Sequence, residues 1–275
     1  METPVRLTAL IITLNGERTL DRCLEMLSFC DRILIVDSFS TDKTEEIAKK
    51  HGAIFIPHKF EGYFEQIQYG VDWLAENAPT EWIFFLDCDE VCTFGLRKAV
   101  LEAIDNKEGN TAYSVRRTTW YIDRFLKHGD AYPDRLFRLF HPDAIRLAEL
   151  NGHPTYTPAG KHGQLEADLL HYSWPNYFNQ LEKLNIYAQR GAESMMKRGK
   201  KGGLGKAVLH SIWRFISVYF KRLGFLDGKA GFIYAVHGAF YTFIKYIRLN
   251  EGSWGAPYDH AFLEAENKNS ESQRG

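Results

Sequence analysis

The sequence predicts an α/β fold built on a parallel sheet, with a helical extension at its C-terminal end. Through the N-terminal part, short apolar runs alternate with amphipathic segments of helical length; further on, long aromatic-rich helices replace them. Apolar runs without polar alternation read as strands buried on both faces, as in a parallel sheet covered by helices. Small polar and acidic residues follow these runs, at the edge where open α/β sheets bind ligands.

Residues 7–13 (Leu-Thr-Ala-Leu-Ile-Ile-Thr) form the first expected strand, ending at Leu14-Asn15-Gly16-Glu17. Leu20, Cys23, Leu24 and Leu27 then recur at helical spacing. Residues 33–36 make the second strand, closed by Asp37 and the small polar loop 38–42. Thr41 or Asp42 can cap the helix carrying Ile47 and Ala48, and Gly52 closes it. Residues 53–56 are a third strand stopped by Pro57, and a helix over 64–76 packs through Ile67, Val71 and Leu74. The fourth strand, Trp82-Ile83-Phe84-Phe85-Leu86, delivers Asp87-Cys88-Asp89-Glu90. Short connections throughout imply right-handed crossovers. Past residue 115 the alternation ends. Residues 136–140 read as an edge or antiparallel strand, 152–163 as loop with two prolines, and 175–197, 207–223 and 229–249 as helices. The expected division is a catalytic domain over 1–174, a basic-aromatic helical region over 175–251 and a polar tail over 252–275.

A hydrophobic content of 45% and a charged content of 25% belong to a globular protein. A net charge of -1 exerts no global pull on nucleic acid. The N-terminus carries no basic-then-apolar leader, and Cys23, Cys30, Cys88 and Cys92 lack Cys-x-x-Cys spacing. They read as reduced, small hydrophobes of a cytoplasmic protein. No Gly-x-Gly-x-x-Gly follows the first strand, which disfavours a dinucleotide enzyme. Gly205-Lys206-Ala207 lacks the Ser/Thr and the preceding strand of a phosphate loop, and reads as a basic linker.

The acidic turn has two readings. Asp87 and Asp89 suit a hard divalent cation that shares oxygen ligands with a diphosphate. Alternatively, Asp89 is a helix N-cap, with Glu90 in the first turn before Leu96, Val100 and Leu101.

Taken together, Thr13-Leu14-Asn15-Gly16-Glu17, the run Val36 to Thr44 and Leu86-Asp87-Cys88-Asp89-Glu90 resemble family 2 glycosyltransferases of the GT-A (nucleotide-diphospho-sugar transferase) fold. Tyr132-Pro133-Asp134, Arg138-Leu139-Phe140, His171-Tyr172-Ser173 and Gly224-Phe225-Leu226-Asp227-Gly228 are similar to the bacterial branch of lipopolysaccharide core β-glycosyltransferases. The resemblance spans roughly residues 7–250. It implies that Thr13, Asn15 and Glu17 line a nucleotide pocket and that Asp37 accepts from uracil or ribose. Gln66 and Gln68 would approach the base or sugar, against the plainer reading of solvated amides. Asp89 would ligate Mg²⁺ or Mn²⁺ with His171 completing the shell, Asp87 would hold the ribose or donor sugar, and Arg138 would meet a phosphate. Cys88 need not be a ligand. The branch's His-Glu pair falls at His153-Pro154, so the glutamate is missing. Asp134, Glu149 and His153 are then the candidate bases, with Asp134 preferred.

Residues 197–248 carry many Lys and Arg against the single acidic Asp227, interleaved with aromatic side chains. That composition suits helices lying on an anionic membrane surface; the competing reading is a helical subdomain packed on the catalytic core. The apolar stretch over 230–244 has 15 residues, short of the ~20 that span a bilayer. The expected activity is inverting, metal-dependent transfer of a hexose from a UDP-linked donor to a lipid-linked, lipopolysaccharide or exopolysaccharide acceptor. Its expected place is the cytoplasmic face of the inner membrane, with no nucleic-acid partner. A sugar nucleotidyltransferase and a non-catalytic nucleotide-sugar-binding protein are the alternatives.

Overall fold

A computed structural model describes residues 5–106, 108–150, 153–174 and 176–251. β1 (Val5–Thr13), α1 (Leu20–Glu25), β2 (Arg32–Asp37), α2 (Thr44–Lys50), β3 (Ile54–Pro57), α3 (Tyr63–Asn77) and β4 (Thr80–Asp87) alternate as expected. The strands lie in the order β3-β2-β1-β4, all parallel. Their unbroken apolar runs have a packing cause. Ala9, Ile11, Ile35, Phe84 and Leu86 face α1 together with the following helix, α4 (Phe94–Asp105). The residues between them, Leu10, Leu34, Val36 and Phe85, face Ile67 and Leu74 of α3. Successive side chains point to opposite faces and both faces are covered, so every position must be apolar. At Gly70 a Cβ would come within 2.6 Å of Leu10 Cδ1 and 3.0 Å of Val36 Cγ2. Only glycine lets α3 approach this closely.

The second half of the sheet is mixed. It contains β5 (Glu90–Cys92), β6 (Ala112–Tyr121), β7 (Arg124–Phe125), β8 (Asp134–Phe140) and β11 (His162–His171); β9 (Ile145–Leu150) and β10 (His153–Pro158) form a separate two-stranded ribbon. β8 lies antiparallel between β4 and β6, β11 runs parallel to β6, and β5 closes the far edge antiparallel to β11. β7 folds back on the end of β6.

Two expectations are corrected here. The stretch 152–163, expected as loop, contains β10 and the start of β11. Its prolines are tolerated because a two-stranded ribbon leaves one edge of each strand unpaired. The helix-cap reading of Asp89 also fails. Residues 90–92 are strand, and the cap of α4 is Thr93, whose Oγ1 accepts from Leu96 N at 3.1 Å.

α5 (Tyr177–Lys197) and α6 (Leu204–Ile216) follow, and α6 continues through a π-helical turn and a 3₁₀ turn into α7 (Gly228–Arg248). The helices are stitched to the sheet domain by Asp227. Its buried carboxylate accepts from Lys127 N at 3.0 Å, His128 N at 2.9 Å and His128 Nδ1 at 2.9 Å. Tyr121, Leu126 and Ala230 complete a small shared core. Among the described residues no helix is long and apolar enough to cross a membrane.

Candidate active site

A cavity of about 990 Å³ opens at the C-terminal ends of the parallel strands. Thr13, Ser38 and Asp87 come to it from the strand ends, Tyr63 and Gln66 from α3, Arg138 from β8, and Lys183 and Tyr241 from α5 and α7.

Strand register assembles the chemistry. β5 pairs antiparallel with β11, placing His171 opposite Glu90, and Tyr172 N donates to Asp89 O at 2.9 Å. The acidic turn and the histidine are thereby drawn together, with His171 Nε2 3.5 Å from Asp89 Oδ1. His171 also stands opposite Thr119 of β6, whose Oγ1 lies 3.3 Å from Nδ1 and orients the ring. Burial tends to raise the Asp89 pKa, but the hydrogen bond and charge of His171 outweigh it and hold the carboxyl below its ordinary value.

This donor set fits a metal shared with a ligand. Asp89 offers a hard oxygen and His171 an imidazole nitrogen. Among the described residues no group of three or more His, Cys, Asp and Glu side chains converges to cage an ion. A divalent cation here would need further oxygens from a diphosphate or water, as Mg²⁺ ordinarily does. Cys88 would not compete, because burial pushes its thiol up to about 12.

Behind this pair runs a buried ionic chain. Tyr63 OH donates to Asp87 Oδ1 at 3.0 Å, and Arg138 Nη2 donates to Asp87 Oδ2 at 2.7 Å and Glu90 Oε1 at 2.6 Å. Arg117 Nη1 reaches Glu90 Oε1 at 3.2 Å, while its Nε and Nη2 hold Asp134 Oδ2 at 2.9 and 2.7 Å. Arg138 is 2% exposed, and its guanidinium lies 4.7 Å from the centre of the Phe85 ring. Burial raises the pKa of Asp87 despite Arg138. Burial also opposes ionisation of Glu90, but Arg138 and then Arg117 prevail and lower it.

Thr13, Gln66, Asp87, Asp89, Arg138 and His171 all line the cavity. Asn15, Glu17, Asp37, Gln68 and Asp134 are not brought to its wall. Asn15 Oδ1 accepts from Thr41 N at 2.9 Å, and Glu17 N donates to Asp42 Oδ2 at 3.0 Å, so both brace the loop after β2. The buried Asp37 carboxylate accepts from Ser40 N at 2.8 Å and Ser40 Oγ at 2.5 Å. Gln68 donates along α3 to Asp72 at 2.7 Å. Gln66 is fully buried, donating to Ser38 Oγ at 3.1 Å and bonding His58 Nδ1 through Oε1 at 2.9 Å. Asp134 stands opposite Arg117 on β8. Glu149 and His153 lie on β9 and β10, and their side chains fall outside the described residues.

Residues 8–160 match the family described as glycosyl transferase family 2, more than half of the 275-residue chain. The chain belongs to glycosyltransferase family 2. It is 29% identical over 250 residues to the lipopolysaccharide core biosynthesis glycosyltransferase LpsC of Rhizobium meliloti, covering 88% of this chain and 91% of LpsC. An uncharacterized glycosyltransferase of Rickettsia typhi, RT0209, is 26% identical, with 90% and 87% covered. Glucosyl-3-phosphoglycerate synthase from Mycobacterium tuberculosis, solved with Mn²⁺, UDP and phosphoglyceric acid, shows 15% identity and a TM-score of 0.49, with 73% and 81% covered. Family 2 membership makes the protein a sugar-transferring enzyme, homologous to a lipopolysaccharide core glycosyltransferase, and its α/β architecture is the GT-A one the motifs implied.

In this family 2 glycosyltransferase the residues that sequence reasoning missed are Tyr63, Glu90, Arg117 and Lys183. Glu90 carried a signal, since it extends the acidic turn. Arg117 and Lys183 carried none, because only register and helix packing bring them to the cavity.

Proposed function

We propose that this enzyme is a metal-dependent, inverting hexosyltransferase. It takes its sugar from a UDP-linked donor and passes it to a lipid-linked or lipopolysaccharide-type acceptor. The carrying observation is the Asp89–His171 pair beside Asp87 on the wall of the large cavity. Asp89 and His171 would hold the cation, which when bound offsets negative charge on the departing diphosphate. Thr13 and Ser38 would meet the nucleoside end, with Gln66 holding Ser38 in place, and Asp87 would meet the ribose or the donor sugar. Arg138 is committed to Asp87 and Glu90, so its role is to position the acidic turn. In the transfer the acceptor oxygen attacks the anomeric carbon as the bond to the diphosphate oxygen breaks. The electron pair leaves with UDP, and the acceptor proton passes to a carboxylate. Asp134 is our candidate, since Arg117 holds it through Oδ2 alone.

We place the enzyme on the cytoplasmic face of the inner membrane, with residues 175–251 as the surface-binding part. On α6 and its π-helical continuation Leu204, Val208, Leu209, Ile212, Trp213, Ile216 and Phe220 are exposed. Their spacing makes one helical stripe, and Phe232, Val236 and Phe240 repeat it on α7. Lys200, Lys201, Lys206, Lys221 and Arg222 supply the positive charge an anionic surface attracts. Arg214, Lys245 and Arg248 turn inward instead, toward Asp130, the Tyr241 ring and Asn185.

The test is calorimetric titration with UDP, with and without Mn²⁺, on wild type and Asp89→Asn. Mn²⁺-dependent affinity should fall by more than tenfold in the variant while its circular dichroism stays unchanged. Even partners one step removed from a metal cost about 10–100-fold. Undiminished binding in the variant removes the metal assignment.

A further inference from the structure

α5 buries Gln180, Leu184, Ala188 and Ala192, a stripe with a spacing of four residues. Lys183 and Tyr187 run beside that stripe, also four apart, and both line the large cavity that holds Asp87 and Asp89. Lys183 is half-buried there, whereas Glu182 and Asn185 on the same helix are exposed.

The cavity has five basic lining residues, Arg117, Arg135, Arg138, His171 and Lys183. Four of them are already engaged. Arg138 is held by Asp87 and Glu90, Arg117 by Glu90 and Asp134, and Arg135 by Glu166 at 2.6 Å. His171 stands 3.5 Å from Asp89. Lys183 meets no carboxylate in an ion pair among the described residues. Its charge nonetheless reaches the acidic turn. Burial raises the Asp89 pKa, while His171 and then Lys183 lower it. Coulomb attraction weakens with distance, so the ammonium lies near the place where Asp89 would hold a cation and its diphosphate. A compact charge with three donors, on a flexible four-carbon stem, suits phosphate oxygens.

We infer that Lys183 binds the diphosphate of the sugar donor and offsets the charge that gathers on it as the sugar leaves. The inference rests on the transferase reading above. It adds to the cation a second positive group, delivered by the helical region rather than by the sheet. Lys183 keeps its protons throughout, and the electron pair still leaves with UDP.

The experiment titrates full-length protein with UDP in the presence of Mn²⁺, and with uridine, on wild type, Lys183→Met and Lys183→Arg. Hydrogen bonds to charged groups are worth about 1.5–3 kcal/mol, so Lys183→Met should weaken UDP by about 10–150-fold. Lys183→Arg keeps the charge and should stay within about fivefold of wild type. Uridine has no phosphate, and its affinity should change by less than about twofold in both variants. A loss of UDP affinity below about tenfold in Lys183→Met, no recovery in Lys183→Arg, or an equal loss of uridine overturns the inference. These outcomes leave the transferase reading standing, because wild type still binds UDP. Should wild type itself fail to bind UDP, that reading falls and the inference falls with it.

Discussion

Replacing Arg138 with Met tests whether the ionic chain behind the acidic turn is what holds it in place. The substitution keeps the bulk and removes a charge that is 2% exposed and bonded to Asp87 at 2.7 Å and Glu90 at 2.6 Å. Removing one partner from a buried ion pair costs about 3–5 kcal/mol. We expect the lower end, about 3 kcal/mol at pH 7, because Arg117 stays 3.2 Å from Glu90 and Tyr63 stays 3.0 Å from Asp87. The loss should depend on pH with a definite sign. In the wild type Glu90 is held below its ordinary value, so its contribution is present above the unfolded range near ~4.3 and disappears as pH falls through the lower folded value. In the variant Glu90 rises above its unfolded value, and Asp87, already raised by burial, rises further. Their penalty then operates at neutral pH and fades on acidification as they bind protons. Urea unfolding followed by tryptophan fluorescence should therefore give a loss at pH 5 smaller by ~1 kcal/mol or more than at pH 7, one pKa unit being ~1.4 kcal/mol. An equal loss at both pH values, or one below ~1 kcal/mol at pH 7, refutes the reasoning.

Asp134→Asn should lower kcat by about 10²–10⁴-fold, the usual worth of a positioned base, and leave UDP affinity within twofold of wild type. A near-normal kcat in a steady-state transfer assay would move the role to Glu149 or His153. On the membrane side, Leu209→Ser, Ile212→Ser and Trp213→Ser together remove the centre of the α6 stripe, where these residues are 69%, 53% and 53% exposed. Sedimentation with phosphatidylserine vesicles should drop at least tenfold, and release of the wild type by salt should track the basic residues. Full retention of the triple variant on vesicles would contradict the interfacial placement.

The parallel half of the sheet was legible because burial on two faces leaves nothing but apolar residues, a pattern few other structures produce. Asp89 and His171 were paired only through the family resemblance; nothing in the residues between them marks them as neighbours. The strand that joins them, β5, has only three residues, and Asp89-Glu90 before an apolar periodicity looks equally like a helix start. What decides between the two is the hydrogen-bonding edge of β11, some eighty residues away in the chain. Pro154 and Pro158 hid β10 for a related reason, since a proline excludes a central strand but not the free edge of a ribbon. The inward turn of Arg214 and Lys245 was invisible because it depends on how α6 and α7 pack. Asn15 and Asp37 occupy positions that resemble ligand-binding ones, yet here their side chains are satisfied by the loop after β2.

The closing of β5 on β11 also sets an order of assembly. The acidic turn is complete once residue 90 has been made, but its histidine partner arrives only with residue 171 and only when the mixed half of the sheet has formed. A nascent or truncated chain ending before β11 would display Asp87 and Asp89 without the side chain that faces them. On the proposed reading, capacity for a metal–nucleotide complex would belong to the finished sheet, and its appearance would report that the chain has folded past its midpoint.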